Sequence, residues 1–306
     1  MSVNLQINLG GLAIKNPFTV ASGTFGSGRE YSELWGTTPL STLGAVTTKG
    51  VSFEPWSGNS GVRIAETASG MLNSIGLQNP GVTAFCTNDL VWLATQDVPV
   101  IVNVSGHSAQ EYAQVIQRLE QEHTVGAYEI NISCPNVSAG GMSFGTNAVA
   151  AAAVVSGCRS VTKRPLIVKL TPNVTDITEI AHAVASAGAD ALSMINTVAG
   201  MAIDAKTRTK VFERGMAGLS GPAIKPIALH AVYRVHQAVA LPIIGMGGIS
   251  TINDVIEFLL AGASAVAVGT ASFSDPFRVL QLLEELTDWC DANGIKDIKE
   301  LIGAVR

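Results

Sequence analysis

The chain has 306 residues, of which 47% are hydrophobic and 14% charged, so it can bury a large core, and its length favours one domain spanning 1–306 over two small ones. A formal net charge of −5 provides no basic excess to neutralise phosphates, which argues against a nucleic-acid partner. No window holds the ~18 apolar residues of a membrane span and the first ten residues lack a secretory signal pattern, so we expect a cytoplasmic protein that does not enter a membrane.

A short hairpin is predicted ahead of the main fold. Residues 3–14 alternate between apolar and polar side chains and are interrupted by Gly10-Gly11, the pattern of two antiparallel strands joined by a tight turn. We expect this hairpin to plug one end of the main fold.

The rest of the chain alternates short apolar runs with helical patterns. Eight apolar runs are predicted to be buried strands: Pro17–Ala21, Ala45–Thr48, Val98–Val104, Tyr128–Ser133, Leu166–Leu170, Ala191–Ile195, Pro242–Met246 and Ala265–Val268. Seven segments are predicted to be helices: Val82–Ala94, Ala109–Gln121, Thr146–Val161, Thr175–Ala187 (capped by Thr175 or Asn173), Pro222–Val239, Thr251–Ala261 and Pro276–Asn293. Residues 51–80 and 198–221 are predicted to be long loops without regular structure, which usually serve function.

This alternation predicts an α/β protein, a closed (β/α)8 TIM barrel with long loops over its carboxyl rim. Apolar strands flanked by helices are what a parallel sheet buried on both faces requires, and eight such units suit a barrel. A doubly wound open sheet is the alternative. It is disfavoured because polar residues follow nearly all of the predicted strands and are not gathered at one switch point.

Glycines follow the last two predicted strands. The backbone amides of Gly247-Gly248 and Gly269-Thr270, close to helix starts, would hold a phosphate without a basic side chain, and Ser220-Gly221-Pro222 would add a third contact. Ordinary turns would explain either pair alone. The occurrence of both glycine-containing pairs after the last two predicted strands, which would be neighbours in a barrel, favours phosphate binding.

Two lysines, Lys49 and Lys169, lie at or near the ends of apolar strands, where an unpaired ammonium is costly to bury. Each is therefore predicted to face an anionic partner, either the pyrimidine edge of a flavin or a substrate carboxylate. A lysine that emerges into solvent is the alternative for each.

Five asparagines supply donors and acceptors without charge, the equipment for recognising a planar, amide-rich ring: Asn73, Asn103, Asn131, Asn136 and Asn196. Asparagine is common in turns. Asn131 and Asn196, however, lie on or just after predicted buried strands, where turn chemistry is a poor explanation.

Cys134 begins the loop after the fourth predicted strand, where Pro135 ends the ladder. A loop cysteine near polar groups is a candidate nucleophile or base, although a lone cysteine is more often inert. The other cysteines, Cys86, Cys158 and Cys290, are far apart and form no C-x-x-C pair, so neither a zinc site nor an iron–sulfur cluster is predicted in this chain.

Taken in order, a series of motifs resembles the flavin-dependent dihydroorotate dehydrogenases of class 1, and within them the catalytic subunit of the NAD-linked class 1B enzymes. The resemblance covers almost the whole chain and rests on Ala21-Ser-Gly23, Thr48-Lys-Gly50, Asn73-Ser-Ile-Gly-Leu-Gln-Asn-Pro80, Asn131-Ile-Ser-Cys-Pro-Asn136, Lys169-Leu-Thr-Pro172, Asn196-Thr197, Gly218-Leu-Ser-Gly-Pro222, Gly245-Met-Gly-Gly248 and Gly269-Thr-Ala271.

The resemblance implies an FMN across the barrel mouth and a dihydroorotate stacked on it. The implied FMN residues are Ser22, Lys49, Gly50, Asn103, Asn131, Lys169, Ile195, Gly221, Gly247, Gly248, Gly269 and Thr270. The implied substrate residues are Lys49, Asn73, Ser74, Ile75, Gly76, Leu77, Asn131, Asn196 and Thr197. Cys134 takes the place of the family's catalytic base, which removes the C5 proton while a hydride passes from C6 to the flavin, giving orotate for pyrimidine biosynthesis.

The resemblance also implies a partner. No G-x-G-x-x-G motif follows an early strand, so the chain itself is not expected to bind NAD. A second subunit carrying FAD and a [2Fe–2S] cluster would relay electrons to NAD⁺, with a homodimer of this chain inside a heterotetramer. Residues 140–146 follow the class 1B pattern and not the fumarate-using class 1A pattern, whereas residues 53–61 depart from the expected proline-rich loop and are treated as variable.

Four other functions remain open on the residues. They are a fumarate-reducing class 1A enzyme, a sister enzyme that reduces uracil-like rings and carries an iron–sulfur extension, a flavin protein without catalysis, and a non-redox barrel that binds a sugar phosphate at the same glycines.

Overall fold

The structure, a computed structural model, describes residues 3–133 and 144–306. Within these residues, eight parallel strands form the central sheet: Phe18–Val20, Val46–Thr47, Val100–Val104, Val125–Asn131, Leu166–Lys169, Ala191–Met194, Ile243–Gly245 and Ala265–Val268. We call them the first to eighth barrel strands. The second to eighth strands pair in chain order, and the eighth pairs with the first.

The seam between the first and second barrel strands closes the ring. The amide of Gly44 donates to the carbonyl of Phe18 at 2.9 Å, and the hydroxyls of Thr19 and Thr47 share a hydrogen bond of 3.0 Å. The predicted (β/α)8 barrel is therefore confirmed, and the open sheet is wrong. The fourth barrel strand begins at Val125, three residues before the predicted start.

Helices follow the barrel strands and cover the outside of the sheet. Their bounds are Ser22–Phe25, Arg29–Trp35, Gly81–Leu93, Ala109–Leu119, Ala148–Arg159, Ile177–Ser186, Lys225–Ala238, Ile252–Leu260, Ala271–Ser274 and Arg278–Asn293. Short 3-10 turns occur at Leu40–Thr42, Phe144–Thr146, Pro222–Ile224 and Ile298–Leu301. Pro226 lies in the first turn of its helix, where a missing backbone donor costs little.

The cap of helix Ile177–Ser186 differs from the prediction. Asp176 is the N-cap, and its carboxylate accepts from the amide of Thr178 at 2.9 Å. Thr175 and Asn173 were the wrong choices, because the Asn173 side chain binds elsewhere. Its Nδ2 donates to the carbonyl of Thr197 at 3.0 Å, and its Oδ1 accepts from the amide of Ala199 at 2.8 Å.

The predicted amino-terminal hairpin is present. Strands Ile7–Leu9 and Leu12–Ile14 pair antiparallel about Gly10 and Gly11, both with positive φ. Gly10 packs so closely on Asp190, which precedes the sixth barrel strand, that a side chain there would clash. The hairpin therefore covers the amino-terminal end of the barrel, as predicted.

Both long connections contain strands, so the prediction of loops without regular structure is wrong. Four short strands, Ile64–Thr67, Gly70–Asn73, Val198–Gly200 and Ala217–Ser220, form an antiparallel sheet that we call the rim sheet. A two-stranded ribbon, Ile203–Asp204 with Thr209–Lys210, extends the second connection. In the rim sheet Gly218 pairs with Asn73, which joins the two connections, and Leu72, Phe212 and Ala217 form a small core under it.

None of the helices in the described ranges is long and apolar enough to cross a membrane.

Candidate active site

A cavity of about 970 Å³ lies between the carboxyl ends of the barrel strands and the rim sheet. Its lining includes every predicted FMN or substrate residue: Ser22, Lys49, Gly50, Asn73, Ser74, Ile75, Gly76, Leu77, Asn103, Asn131, Lys169, Ile195, Asn196, Thr197, Gly221, Gly247, Gly248, Gly269 and Thr270. Cys134, Asn136 and residues 140–143 of the class 1B motif lie outside the described residues. The structure thus brings residues from opposite ends of the chain into one site.

One corner of the cavity is lined by backbone. The amides of Gly248, Gly269 and Thr270 have no acceptor among the described residues. Gly221 and Gly248 have φ of 91° and 87°, a region that favours glycine, and a side chain at Gly248 would lie 2.8 Å from Cβ of Lys225. Close backbone approach and free N–H groups are what binding a phosphate requires.

Lys225, next to this corner, is already neutralised. Its Nζ lies 2.7 Å from Oδ1 of Asp254 and 2.8 Å from Oε2 of Glu257, and these hydrogen bonds raise the pKa of the lysine. The corner therefore offers backbone dipoles and not a lysine charge.

Lys169, at the end of the fifth barrel strand, is only 5% exposed. Its Nζ lies 3.8 Å from Oε1 of Glu129 and donates to the hydroxyl of Ser22 at 3.5 Å. Lys169 was predicted to face a flavin edge or a substrate carboxylate, and among the described residues its carboxylate neighbour is Glu129, which the sequence analysis treated only as a strand residue. The signal was present, because Glu129 alternates with Ile130 and so shares the inward face with Asn131.

Asn103, on the third barrel strand, is fully buried. Its Nδ2 donates to Oε1 of Glu129 at 2.5 Å, whereas its Oδ1 has no partner among the described residues. A side chain at Gly50 would lie 2.8 Å from this oxygen, so only glycine leaves the space beside it unfilled. An unpaired buried acceptor costs free energy until a ligand satisfies it.

Lys49 is half-buried in the cavity wall and makes no ion pair with any described residue. Burial lowers the pKa of its ammonium, and the positive charges of Lys169 and Arg63 lower it further. No described carboxylate pairs with Lys49, so a bound anion would supply its counter-charge.

The predicted substrate loop, residues 73–77, is braced by residues that the sequence analysis missed. Nδ2 of Asn59 donates to the carbonyl and hydroxyl of Ser74, and Nη1 of Arg63 donates to Gln78 at 2.6 Å. Asn73 in turn donates to the carbonyl of Gly218 at 3.2 Å. No local pattern could have revealed these contacts, because they join residues 15 or more positions apart in the chain.

The loop after the sixth barrel strand is also fixed by side-chain amides. Oδ1 of Asn196 accepts from the amide of Thr197 at 2.8 Å, and Asn173 holds Thr197 and Ala199 as described above. Oδ1 of Asn131 accepts from the amide of Ser133 at 3.3 Å.

No group of three or more His, Cys, Asp or Glu in the described part of the chain could hold a metal ion.

The fold and the cavity define a barrel enzyme whose site combines cations, amides and bare backbone at the carboxyl rim. The chain belongs to the dihydroorotate dehydrogenase family, since the model of that family, described as "Dihydroorotate dehydrogenase", matches residues 4–289.

Three relatives of this chain carry the name "Dihydroorotate dehydrogenase B (NAD(+)), catalytic subunit". The protein of that name from Alkaliphilus oremlandii is 53% identical over 300 residues, which cover 98% of each chain. The one from Alkaliphilus metalliredigens is 51% identical over 303 residues, covering 99% of each, and the one from Bacillus pumilus is 50% identical over 299 residues, covering 98% of this chain and 96% of that one. The resemblance given by the motifs is confirmed, and the sugar-phosphate barrel loses its support.

Proposed function

We propose that this chain is the catalytic subunit of an NAD-linked dihydroorotate dehydrogenase and oxidises (S)-dihydroorotate to orotate in pyrimidine biosynthesis. The observation that carries the proposal is the convergence of the expected cofactor and substrate residues on one cavity at the barrel rim. The names of the relatives support the same reaction.

FMN fits the residues of this cavity. The free amides of Gly248, Gly269 and Thr270 suit a phosphate, and the unpaired Oδ1 of Asn103 suits a polar ring edge beside Lys169. When bound, FMN would accept the hydride that leaves C6 of the substrate.

The substrate's chemistry matches the rest of the lining. Dihydroorotate carries a carboxylate and a ring of alternating carbonyl and N–H groups, which need a cation and amide partners. Lys49 supplies the cation without an internal partner, and Asn73, Asn131 and Asn196 supply donors and acceptors. The brace formed by Asn59 holds the substrate loop in place.

Cys134, outside the described residues, is proposed to be the base that takes the C5 proton as a thiolate. The other three thiols are poor candidates because all are buried. Burial raises the pKa of Cys158 to about 12 and also raises the pKa of Cys86 and Cys290, so none of them provides a thiolate at neutral pH.

The electrons are proposed to leave through a second subunit that carries FAD and a [2Fe–2S] cluster, with a homodimer of this chain in a heterotetramer. The relatives are named catalytic subunits, which fits a protein that works with a partner. The competing acceptor is fumarate entering the same cavity. Co-expression with the electron-transfer subunit should give NAD⁺ reduction that the isolated chain lacks, whereas rapid fumarate turnover by the isolated chain would overturn this part of the proposal.

Anaerobic titration with dihydroorotate tests the reaction itself. The purified chain should be yellow, and its visible flavin absorption should bleach as dihydroorotate is added, with orotate formed in equal amount. Colourless protein would exclude a flavin enzyme. Yellow protein that does not bleach would indicate a flavin carrier without this activity.

A further inference from the structure

We propose that Glu129 is a positioning residue that decides which end of the Asn103 amide faces the cavity, and thereby requires a hydrogen-bond donor on the ligand edge at that point. The inference rests on the proposed function, because the ligand concerned is FMN in the rim cavity.

Glu129 lies behind the cavity and not in its lining. It is 1% exposed, and its Cα pairs with that of Asn103 across the third and fourth barrel strands. Its Oε1 accepts from Nδ2 of Asn103 at 2.5 Å and lies 3.8 Å from Nζ of Lys169. The neighbouring ammonium stabilises the carboxylate, so one buried acid contacts two residues of the cavity wall.

A carboxylate only accepts hydrogen bonds, so the amide of Asn103 must present its NH₂ group to Glu129. The other end of the amide, Oδ1, then has to face away from Glu129. This oxygen is buried and lacks a partner among the described residues, Asn103 belongs to the cavity lining, and a side chain at Gly50 would lie 2.8 Å from the oxygen. A bound ligand must therefore place a hydrogen-bond donor beside Oδ1 of Asn103 to satisfy this acceptor.

The pyrimidine edge of a flavin has the matching order of groups. It carries one imide N–H between two carbonyl oxygens, so the N–H is the donor that Asn103 would accept. The carbonyl oxygens suit the cations Lys49 and Lys169, which line the same cavity. Glu129 would thus act on the flavin through Asn103 and not by contact.

The test compares the affinities of FMN and N3-methyl-FMN, which lacks this donor, for the apoprotein of each variant by fluorescence titration. Wild type should prefer FMN. In Glu129→Gln the Asn103 amide can adopt either orientation, because the glutamine side chain can both donate and accept a hydrogen bond. The preference for FMN over N3-methyl-FMN should therefore fall about tenfold, the effect expected when one buried hydrogen bond is lost. The steric effect of the methyl group is common to all variants and cancels in the comparison.

Two further variants serve as controls, one for the loss of a charge near the cavity and one for a general effect of removing a buried carboxylate on the fold. Lys169→Met should weaken both ligands equally and keep the wild-type preference, because it changes charge but not the polarity of the amide. Glu120→Gln is the matched control, since Glu120 also accepts from buried partners, Tyr128 at 2.6 Å and Thr162 at 2.8 Å, but does not line the cavity. It should leave both affinities unchanged.

A rescue variant covers the case in which Glu129→Gln folds poorly. In Asn103→Asp with Glu129→Gln, the glutamine donates to the new carboxylate, which again presents an acceptor to the cavity, and the number of charges is conserved. The double variant should recover the preference for FMN. If wild type binds no FMN, the proposed function fails. If wild type binds FMN but Glu129→Gln or the double variant does not behave as stated, only this inference is overturned.

Discussion

The side-chain amide of Asn59 donates hydrogen bonds to the backbone carbonyl and the hydroxyl of Ser74, at 3.1 and 3.0 Å. The backbone amide of Asn59 also donates to the carbonyl of Ile75 at 3.0 Å. Residues 53–61, which depart from the motif expected in this family, therefore hold the proposed substrate loop in place.

Asn59→Ala should raise the KM for dihydroorotate about tenfold and change kcat far less, because it loosens the loop that orders the substrate but removes no reacting group. Steady-state kinetics with the complete enzyme gives both constants. Ser74→Ala removes one of the two side-chain bonds and should have a smaller effect. An equal fall in kcat for Asn59→Ala would mean that the loop also positions the reacting atoms.

The depressed pKa of Lys49 predicts a pH dependence of substrate binding. In the enzyme without substrate, burial and the neighbouring positive charges favour the neutral amine of Lys49. The ammonium that binds the substrate carboxylate therefore loses its proton at a lower pH than an ordinary lysine does. KM should therefore rise with pH on the alkaline side, and binding there should take up a proton. Lys49→Met should raise KM at neutral pH by about 10² or more, the range for a buried charged partner, and should remove this alkaline rise. A wild-type KM that stays constant up to the ordinary lysine pKa would contradict the assignment.

The same cation should destabilise the apoprotein. A lysine whose pKa is lower in the folded state than in the unfolded state costs stability wherever it is protonated, and that cost disappears as pH rises through the depressed pKa toward the ordinary value. Apo Lys49→Met should therefore have a higher Tm than the wild type at neutral pH, and the difference should shrink at alkaline pH. Scanning calorimetry across pH checks both signs.

Cys134→Ala should retain FMN and reduce the rate of flavin reduction by dihydroorotate at least ~10²-fold, the lower end of what a positioned base contributes. In the wild type this rate should rise with pH as the thiolate forms. Stopped-flow absorbance under anaerobic conditions measures it. Cys86→Ala, at a buried thiol outside the cavity lining, is the matched control and should keep the wild-type rate. Near-normal reduction in Cys134→Ala would remove Cys134 from the mechanism.

Gly248→Ala should weaken FMN binding by about tenfold or more, because a non-glycine residue at φ of 87° is strained by about 1–3 kcal/mol and the new methyl group would lie 2.9 Å from the carbonyl oxygen of Gly221. Gly23→Ala is the matched control. Gly23 lines the same cavity, but a side chain there meets nothing within 4 Å. Equilibrium titration of the two apoproteins with FMN should separate them, and equal affinities would remove Gly248 from the phosphate corner.

The barrel could be predicted from the sequence because each of its strands is a local signal. Runs such as Val100–Val104 are buried throughout and apolar except for Asn103, and each is followed by a helical pattern, so strand number and direction follow from neighbouring residues. The fourth barrel strand was located but its start was not, since Gly126 weakens the apolar run near Val125.

The rim sheet could not be predicted, because its strands are three or four residues long and pair across the chain. Asn73 and Gly218 are 145 positions apart, and no local alternation specifies that register. The same limit applies to the site. The positions of Lys49, Lys169 and the glycines followed from strand ends, whereas the contact of Lys169 with Glu129 depends on two barrel strands being neighbours.

The rim sheet also limits how this scaffold can be recombined with its relatives. Two segments inserted at different points of the barrel, residues 64–73 and 198–220, share one hydrogen-bonded register and one small core of Leu72, Phe212 and Ala217. In a chimera that takes only one of these segments from a relative, the exchanged strands would have to pair with strands of a different sequence. Loop grafting that aims to change substrate choice should therefore exchange the two segments together, as a single module.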